Sequence, residues 1–386
     1  MRVAVRILAL AASLSACALA LAPERPPIAS LPLDLDGGAV YVPAVVNHDT
    51  AWLLLDTGLS YTGLDRDWAR AIGVRVEAES ASATVLERLQ LGNLDLRDLP
   101  VALYRLHRVS EASGRPQRGL LGHDLLQGFT LDIDYRARRV RLLDPARYRY
   151  FGRGTSVPFT PDADLPLVYG QLKVRGRRPI PARLLLDTGA SGLCLILTTP
   201  FVEQYDLNQI TPAIQAPIGT GLAGDLHGSI VRLQELRLGS IKVRSPTTGL
   251  GGERKGFLGR TDVDGIIGNA VFEDSRLIVD YARNRVIIEP SVSASTPCDF
   301  DHSGLRLVAR GPGLKQVVVD YVVPLSPGAD AGIRVGDELL AIDRRRVADT
   351  DLGGVREALR AEGTRRLVLL RDADTLRVSL HLRRLL

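Results

Sequence analysis

The chain has 386 residues, more than one ordinary domain holds, so two or three domains are expected. Its 45% hydrophobic and 24% charged residues are those of a globular protein, and no internal apolar run is long enough to span a bilayer. The net charge of +5 comes without aromatic interleaving or a nucleic-acid-binding motif, which sets nucleic acid aside as a partner. The cluster Arg136, Arg138, Arg139, Arg141, Arg147 and Arg149 reads as a solvated face.

The chain opens MRVAVRILALAASLSAC, with Arg2 and Arg6 ahead of a short apolar stretch from Ile7 to Leu14. This pattern reads as an export signal over residues 1–22. Leu14-Ser15-Ala16-Cys17 resembles a bacterial lipobox. That resemblance implies lipid attachment at Cys17, a membrane anchor, and a periplasmic location. Ala18 in place of an acidic residue implies outer-membrane sorting. The alternative is an ordinary signal cut near Ala20 or Ala22, with Cys17 discarded. Of the other cysteines, Cys194 sits in an apolar run and Cys298 in a linker. They read as a buried inert thiol and a separate exposed one, although two cysteines in an oxidising compartment can pair. There is no CxxC or HExxH and the six histidines are scattered, so neither metal nor cofactor is expected.

Further along, the chain repeats itself. LLLDTGLS at 53–60 is answered by LLLDTGAS at 184–191, and LERLQLGNLDL at 86–96 by LQELRLGSIKV at 233–243. GLLGHDLL at 119–126 is answered by GIIGNAVF at 265–272, and LDIDYRARRVRLL at 131–143 by LIVDYARNRVIIE at 277–289. Short apolar runs broken by Gly, Asn and Asp predict strands and turns throughout, with one short helix over 65–72. Two homologous, mostly β lobes follow, at 31–147 and 154–290. The first lobe places 36 positions between Asp56 and Gly92, and the second 52 between Asp187 and Gly239. The extra residues include PIGTGLAGDLHG, whose Gly219, Gly221 and Gly224 suit a mobile hairpin tip.

A lone Asp-Thr-Gly is weak evidence, but two copies in matched repeats are specific. Two carboxylates about 3 Å apart cannot both ionise, so they share a proton and can supply a base for water and an acid for a carbonyl. Gly58 and Gly189 would allow two loops to meet with no bulk between them. Thr57 and Thr188 could bond the opposite backbone, and Ser60 and Ser191 could donate to the outer carboxylate oxygens. The paired LLLDTGxS and Gly-apolar-apolar-Gly elements resemble an aspartic peptidase of the retropepsin and pepsin type over roughly 31–290. The resemblance implies a pseudo-twofold bilobal fold with Asp56 and Asp187 as the catalytic pair. It places Leu120-Leu121 and Ile266-Ile267 beneath them and makes the long second-lobe segment the main flap. With both motifs on one chain, a monomer can form the pair. An oligomer, with these loops also facing partner subunits, is the other arrangement. Leu59 departs from the small residue usual after the motif and could crowd that side. Positions 59 and 190 lack the hydroxyl often found there in acid-adapted members, so activity nearer neutral than gastric pH is expected.

A polar linker at 291–302 precedes a third domain at 303–386. VVPLSPGADAGIRVGDELLAIDRRRV at 322–347 resembles an α+β PDZ domain of the bacterial type, with a helix over 351–361 and final strands at 367–370 and 376–380. That resemblance implies binding of a C-terminal peptide by strand addition. The candidate carboxylate loop runs Ser303, Gly304, Leu305, Arg306 and Leu307; the alternative is a first strand used only for packing. The whole reads as an exported aspartic endopeptidase acting on protein or peptide substrate, with the PDZ domain recruiting or regulating. The alternative is a non-catalytic binder that uses the cleft and the PDZ domain as peptide sites.

Overall fold

The computed structural model describes residues 26–78, 80–162, 165–290 and 301–386. The segment expected to be an export signal, with Cys17, and Cys298 with nearly all of the linker lie outside the described residues.

Each lobe is a folded sheet built round one of the triple-leucine strands. In the first lobe the strand Asp49–Leu55 pairs antiparallel with Ala39–Val46 and parallel with Gly119–Leu121. Leu53 and Leu55 enter the main core, whereas Leu54 packs on the other face with Ala39, Tyr41, Leu106 and Leu120. Three leucines in a row therefore mark a strand covered on both sides, where an alternating pattern would mark one wet face. In the second lobe Ile180–Asp187 pairs parallel with Gly265–Gly268, and Leu185 faces a separate apolar cluster with Leu193, Ile196 and Ile266.

The lobes join through antiparallel strands in the order Ala29–Pro32, Arg139–Leu143, Thr130–Asp134, Arg276–Asp280, Arg285–Glu289 and Thr155–Asp162. At the seam Thr130 faces Asp280, Asp134 faces Arg276, and Asp132 faces Ile278. Asp134 and Asp280 are equivalent positions of the repeat, so this register is that of a pseudo-twofold axis through the seam. Asp132, fully buried, takes Arg276 of the other lobe at 2.9 Å through both oxygens and Arg141 of its own lobe at 2.6 Å. Arg141 is thus an internal tie, not part of a solvated face as its sequence cluster had indicated.

The expected short helix forms at Arg66–Ala71, where the Asp65 carboxylate accepts from the Trp68 amide at 3.0 Å. A second first-lobe helix, His107–Ser113, was not anticipated; it stops at Gly114, which has φ of 78°. The C-terminal domain has its own sheet in the order Leu305–Arg310, Gln316–Val322, Glu338–Ile342, Gly363–Arg371, Asp374–Leu382. Leu305–Arg310 is an edge strand. The helix Leu352–Ala358, capped by Asp351, covers a core that includes Leu307, Val319, Leu339, Val355 and Leu369.

Candidate active site

The two Asp-Thr-Gly loops meet at the seam between the lobes. Thr57 Oγ1 donates to the Leu186 carbonyl at 2.8 Å, and Thr188 Oγ1 donates to the Leu55 carbonyl at 2.7 Å. Each hydroxyl also accepts from the opposite threonine's amide, at 3.1 and 3.2 Å. Both threonines are fully buried, so four crossed bonds lock one loop to the other away from water.

That lock brings the aspartates together. A Cβ built on Gly58 would lie 2.5 Å from the Asp187 carboxyl carbon, and one on Gly189 would lie 2.5 Å from Asp56 Oδ2. Only glycine permits each backbone to pass so close to the opposite carboxylate. Gly58→Ala should therefore force the pair apart and lower any Asp-dependent turnover by about a hundredfold, since misplacement of roughly 1 Å costs that much. Retention of more than a third of wild-type turnover would show that the close approach is not needed.

The inner oxygens are held by main-chain amides, Gly58 to Asp56 Oδ1 at 2.9 Å, and Gly189 and Ala190 to Asp187 Oδ1 at 2.8 and 3.0 Å. Among the described residues, neither Ser60 nor Ser191 bonds a carboxylate, so their expected role on the outer oxygens is not seen here. Desolvation where the two loops meet raises both carboxyls above their ordinary range. Asp56 is raised well above it, because the Asp187 charge adds to the desolvation. Asp187 is raised too, but the Ala190 amide, the Asp56 carboxyl and the Gly189 amide all favour its ionised form. The arrangement fits one proton shared by the pair.

The residue after each Gly-apolar-apolar-Gly element supports these loops. Leu121 O accepts from the Asp56 amide at 3.0 Å, while His123 and Asn269 donate their amides to the carbonyls of Leu59 and Ala190, each at 2.8 Å. Leu59 does not crowd the pair, since its half-buried side chain packs into the apolar cluster of Tyr41, Leu54 and Leu120. Sequence reading overlooked two tyrosines. Tyr135 of the first lobe donates to Asn269 Oδ1 of the second, and Tyr281 of the second meets the His123 ring of the first edge-on at 5.1 Å. The signal was present as the repeated Asp-Tyr of the two hairpins.

Gly219, Gly221 and Gly224 lie in the hairpin Ile214–Gly221 with Gly224–Arg232, whose two-residue turn is Leu222-Ala223. Its Ile218 packs with Leu193, Ile196 and Ile266 beside Ala190, so this hairpin, the expected lid, is seated on an apolar cluster of the second lobe. Gly304, Leu305, Arg306 and Leu307 open the edge strand of the C-terminal domain, far along the chain from the aspartates. Cys194 is buried and disulfide-bonded. This corrects the reading of it as an inert thiol: apolar surroundings hide a disulfide as readily as a thiol. Its partner lies outside the described residues. No group of metal-ligating residues occurs among the described residues.

Residues 42–125 and 170–271 match the family described as aspartyl protease, and residues 318–372 match the PDZ domain. Both aspartates and both lobes' central strands fall inside the first match. Comparison with curated proteins finds no match. Among solved structures, the chain is similar to a photosystem II D1 C-terminal processing protease, at 27% identity over 22% of this chain with a TM-score of 0.20. The match spans 23% of that protein's length.

Proposed function

We propose that this chain, which belongs to the aspartyl protease family through both lobes and carries a PDZ domain, is an endopeptidase using Asp56 and Asp187. The observation that carries this reading is the mutual approach of the loops, in which each glycine's missing side chain makes room for the other lobe's carboxylate. A protein that only bound peptides would have no need to keep two desolvated carboxyls in contact, an arrangement that costs stability.

In the proposed reaction, ionised Asp187 takes a proton from a water lying between the carboxyls, while protonated Asp56 hydrogen-bonds the scissile carbonyl. The hydroxide oxygen adds to the carbonyl carbon, and the carbonyl oxygen takes up the Asp56 proton to leave a neutral tetrahedral diol. The proton now on Asp187 passes to the amide nitrogen, and the C–N bond breaks. One diol hydroxyl returns its proton to Asp56 as the new acid forms, so the pair ends with the single proton it began with.

Export and lipid attachment at Cys17 belong to the same proposal, supported by the signal pattern at 1–22 and by a disulfide at Cys194, which suits an oxidising compartment. The test is digestion of a mixed peptide library by the purified protein between pH 3 and 8, with products identified by mass. Internal cleavage is expected, and its absence at every pH would remove the peptidase reading. The pH profile follows from the two carboxyls. Rate rises as the pair loses its first proton and falls as it loses its second. Because both are raised, the bell should centre above the ordinary carboxyl range near 4. A maximum below about pH 4 would contradict the assigned environments.

A further inference from the structure

We propose that the PDZ domain is a latch on the lid hairpin, and that the chain itself closes the edge at which that domain would receive a peptide. Four sets of contacts carry this. First, Arg306 on the edge strand Leu305–Arg310 reaches the lid tip, donating to Asp225 Oδ1 at 2.5 Å and to Thr220 Oγ1 at 2.7 Å. Thr220 and Asp225 are bonded to each other at 2.8 Å, so one guanidinium grips both strands of the hairpin. The groups are only 18% and 24% exposed, which limits screening by water. Second, the lid's base is held as well. Tyr321 donates to the Gln215 carbonyl at 3.2 Å, and Val323 packs with Ile214, Ile218 and Ile230.

Third, the helix His107–Ser113 of the first lobe lies against the same edge strand. Arg356, on the PDZ helix Leu352–Ala358, donates at 2.7 Å to the Ala112 carbonyl and at 2.8 Å to the Leu307 carbonyl. A Cβ on Gly114 would lie 2.5 Å from Leu352, so the helix end is seated directly on the PDZ helix. Fourth, the loop that would hold a terminal carboxylate already holds one. Asp301 Oδ1 accepts from the Ser303 and Gly304 amides, each at 2.8 Å, and from the Ser303 hydroxyl.

Strand addition needs an open edge, and carboxylate capture needs free amides. Here the edge is covered by the first lobe and the amides are taken by Asp301. An extended apolar peptide with a free carboxylate could add to Leu305–Arg310 only by displacing both. It would thereby disturb the strand from which Arg306 grips the lid. Peptide binding and the latched lid are thus opposed, and each must weaken the other by the same factor.

Hydrogen exchange on the intact protein tests this without any turnover, so it is independent of the peptidase reading; Asp187→Asn protein serves equally well. Arg306→Ala and Asp225→Ala should each speed exchange of the amides in Ile214–Gly221 and Gly224–Arg232 by roughly tenfold. Exchange in Arg276–Asp280, at the lobe seam, should stay unchanged and shows that the fold is intact. An apolar hexapeptide with a free C-terminus should bind Asp301→Ala protein more tightly than wild type, and its binding should speed exchange in the lid. Lid exchange unchanged in both Arg306→Ala and Asp225→Ala, or a bound peptide that leaves the lid unaffected, would overturn the latch.

Discussion

Asp187→Asn should reduce peptide hydrolysis by roughly a thousandfold or more, with the protein still folded and the lobes still joined. In the proposed reaction the group removed accepts the water's proton, and general-base loss costs about 10²–10⁴ in rate before the loss of electrostatic balance is counted. Asparagine keeps the shape of the site, so the Gly189 and Ala190 amides and the threonine lock remain available. Asp56→Asn should be equally inactive for a different reason, since its amide cannot give up the proton that the carbonyl oxygen needs. Cleavage at the wild-type rate by either variant would end the assignment.

Asp56→Asn has a second expected effect, on stability. A carboxyl raised in the folded state takes up a proton on folding. Its contribution is therefore fully present below the ordinary range near 4 and is lost as pH rises toward the raised value. Wild type should lose stability across that window, and Asp56→Asn should show a flatter dependence. Thermal unfolding followed at several pH values reads the difference.

Asp132→Ala should cost about 3 kcal/mol of stability and weaken the joint between the lobes. Asp132 is 0% exposed and compensates two arginines, one from each lobe, so its removal takes away the anion they share and leaves Arg276 with Glu289 at 3.5 Å. Breaking such a buried pair typically costs about 3–5 kcal/mol. The low end applies because Arg141 and Arg276 are 22% and 23% exposed and retain some water. Asp132→Asn, which keeps the volume, should recover only part of the loss, because it restores shape without charge. Denaturant unfolding measures this. A loss under about 1 kcal/mol for Asp132→Ala would mean that the seam rests on its strand pairing alone.

The two Asp-Thr-Gly phrases and the order of repeats around them were legible because duplication leaves the same residues at the same offsets. Local chemistry then explained the types, with glycine for close approach, threonine for a short polar lock and leucine for a strand buried on both faces. The short helix at Arg66–Ala71 was visible through its Asp65 cap. The helix His107–Ser113 was not, as it lacks a side-chain cap and has no buried residues of its own to produce a periodic apolar pattern. It is held from outside, by contacts with a domain about 200 residues away in sequence.

Leu59 and Ser60 show the same division. A leucine after the glycine looked obstructive until the fold supplied Tyr41, Leu54 and Leu120 for it to pack against. The serine hydroxyls looked suited to the carboxylates, but the backbone amides are nearer. Arg141 and Cys194 were likewise misjudged from their neighbours in sequence, because their partners come from elsewhere in the chain.

By itself the sequence determined that this protein has two related β lobes, one Asp-Thr-Gly in each, and a PDZ domain after them. These are properties of pattern, and pattern survives in one dimension. Only the tertiary structure decided that the two aspartates meet, that Asp132 ties the lobes across their seam, and that Arg306 bonds Thr220 and Asp225 of the second-lobe hairpin. Each depends on groups brought within about 3 Å by strands distant in sequence, where desolvation and charge act over separations that no spacing along the chain encodes.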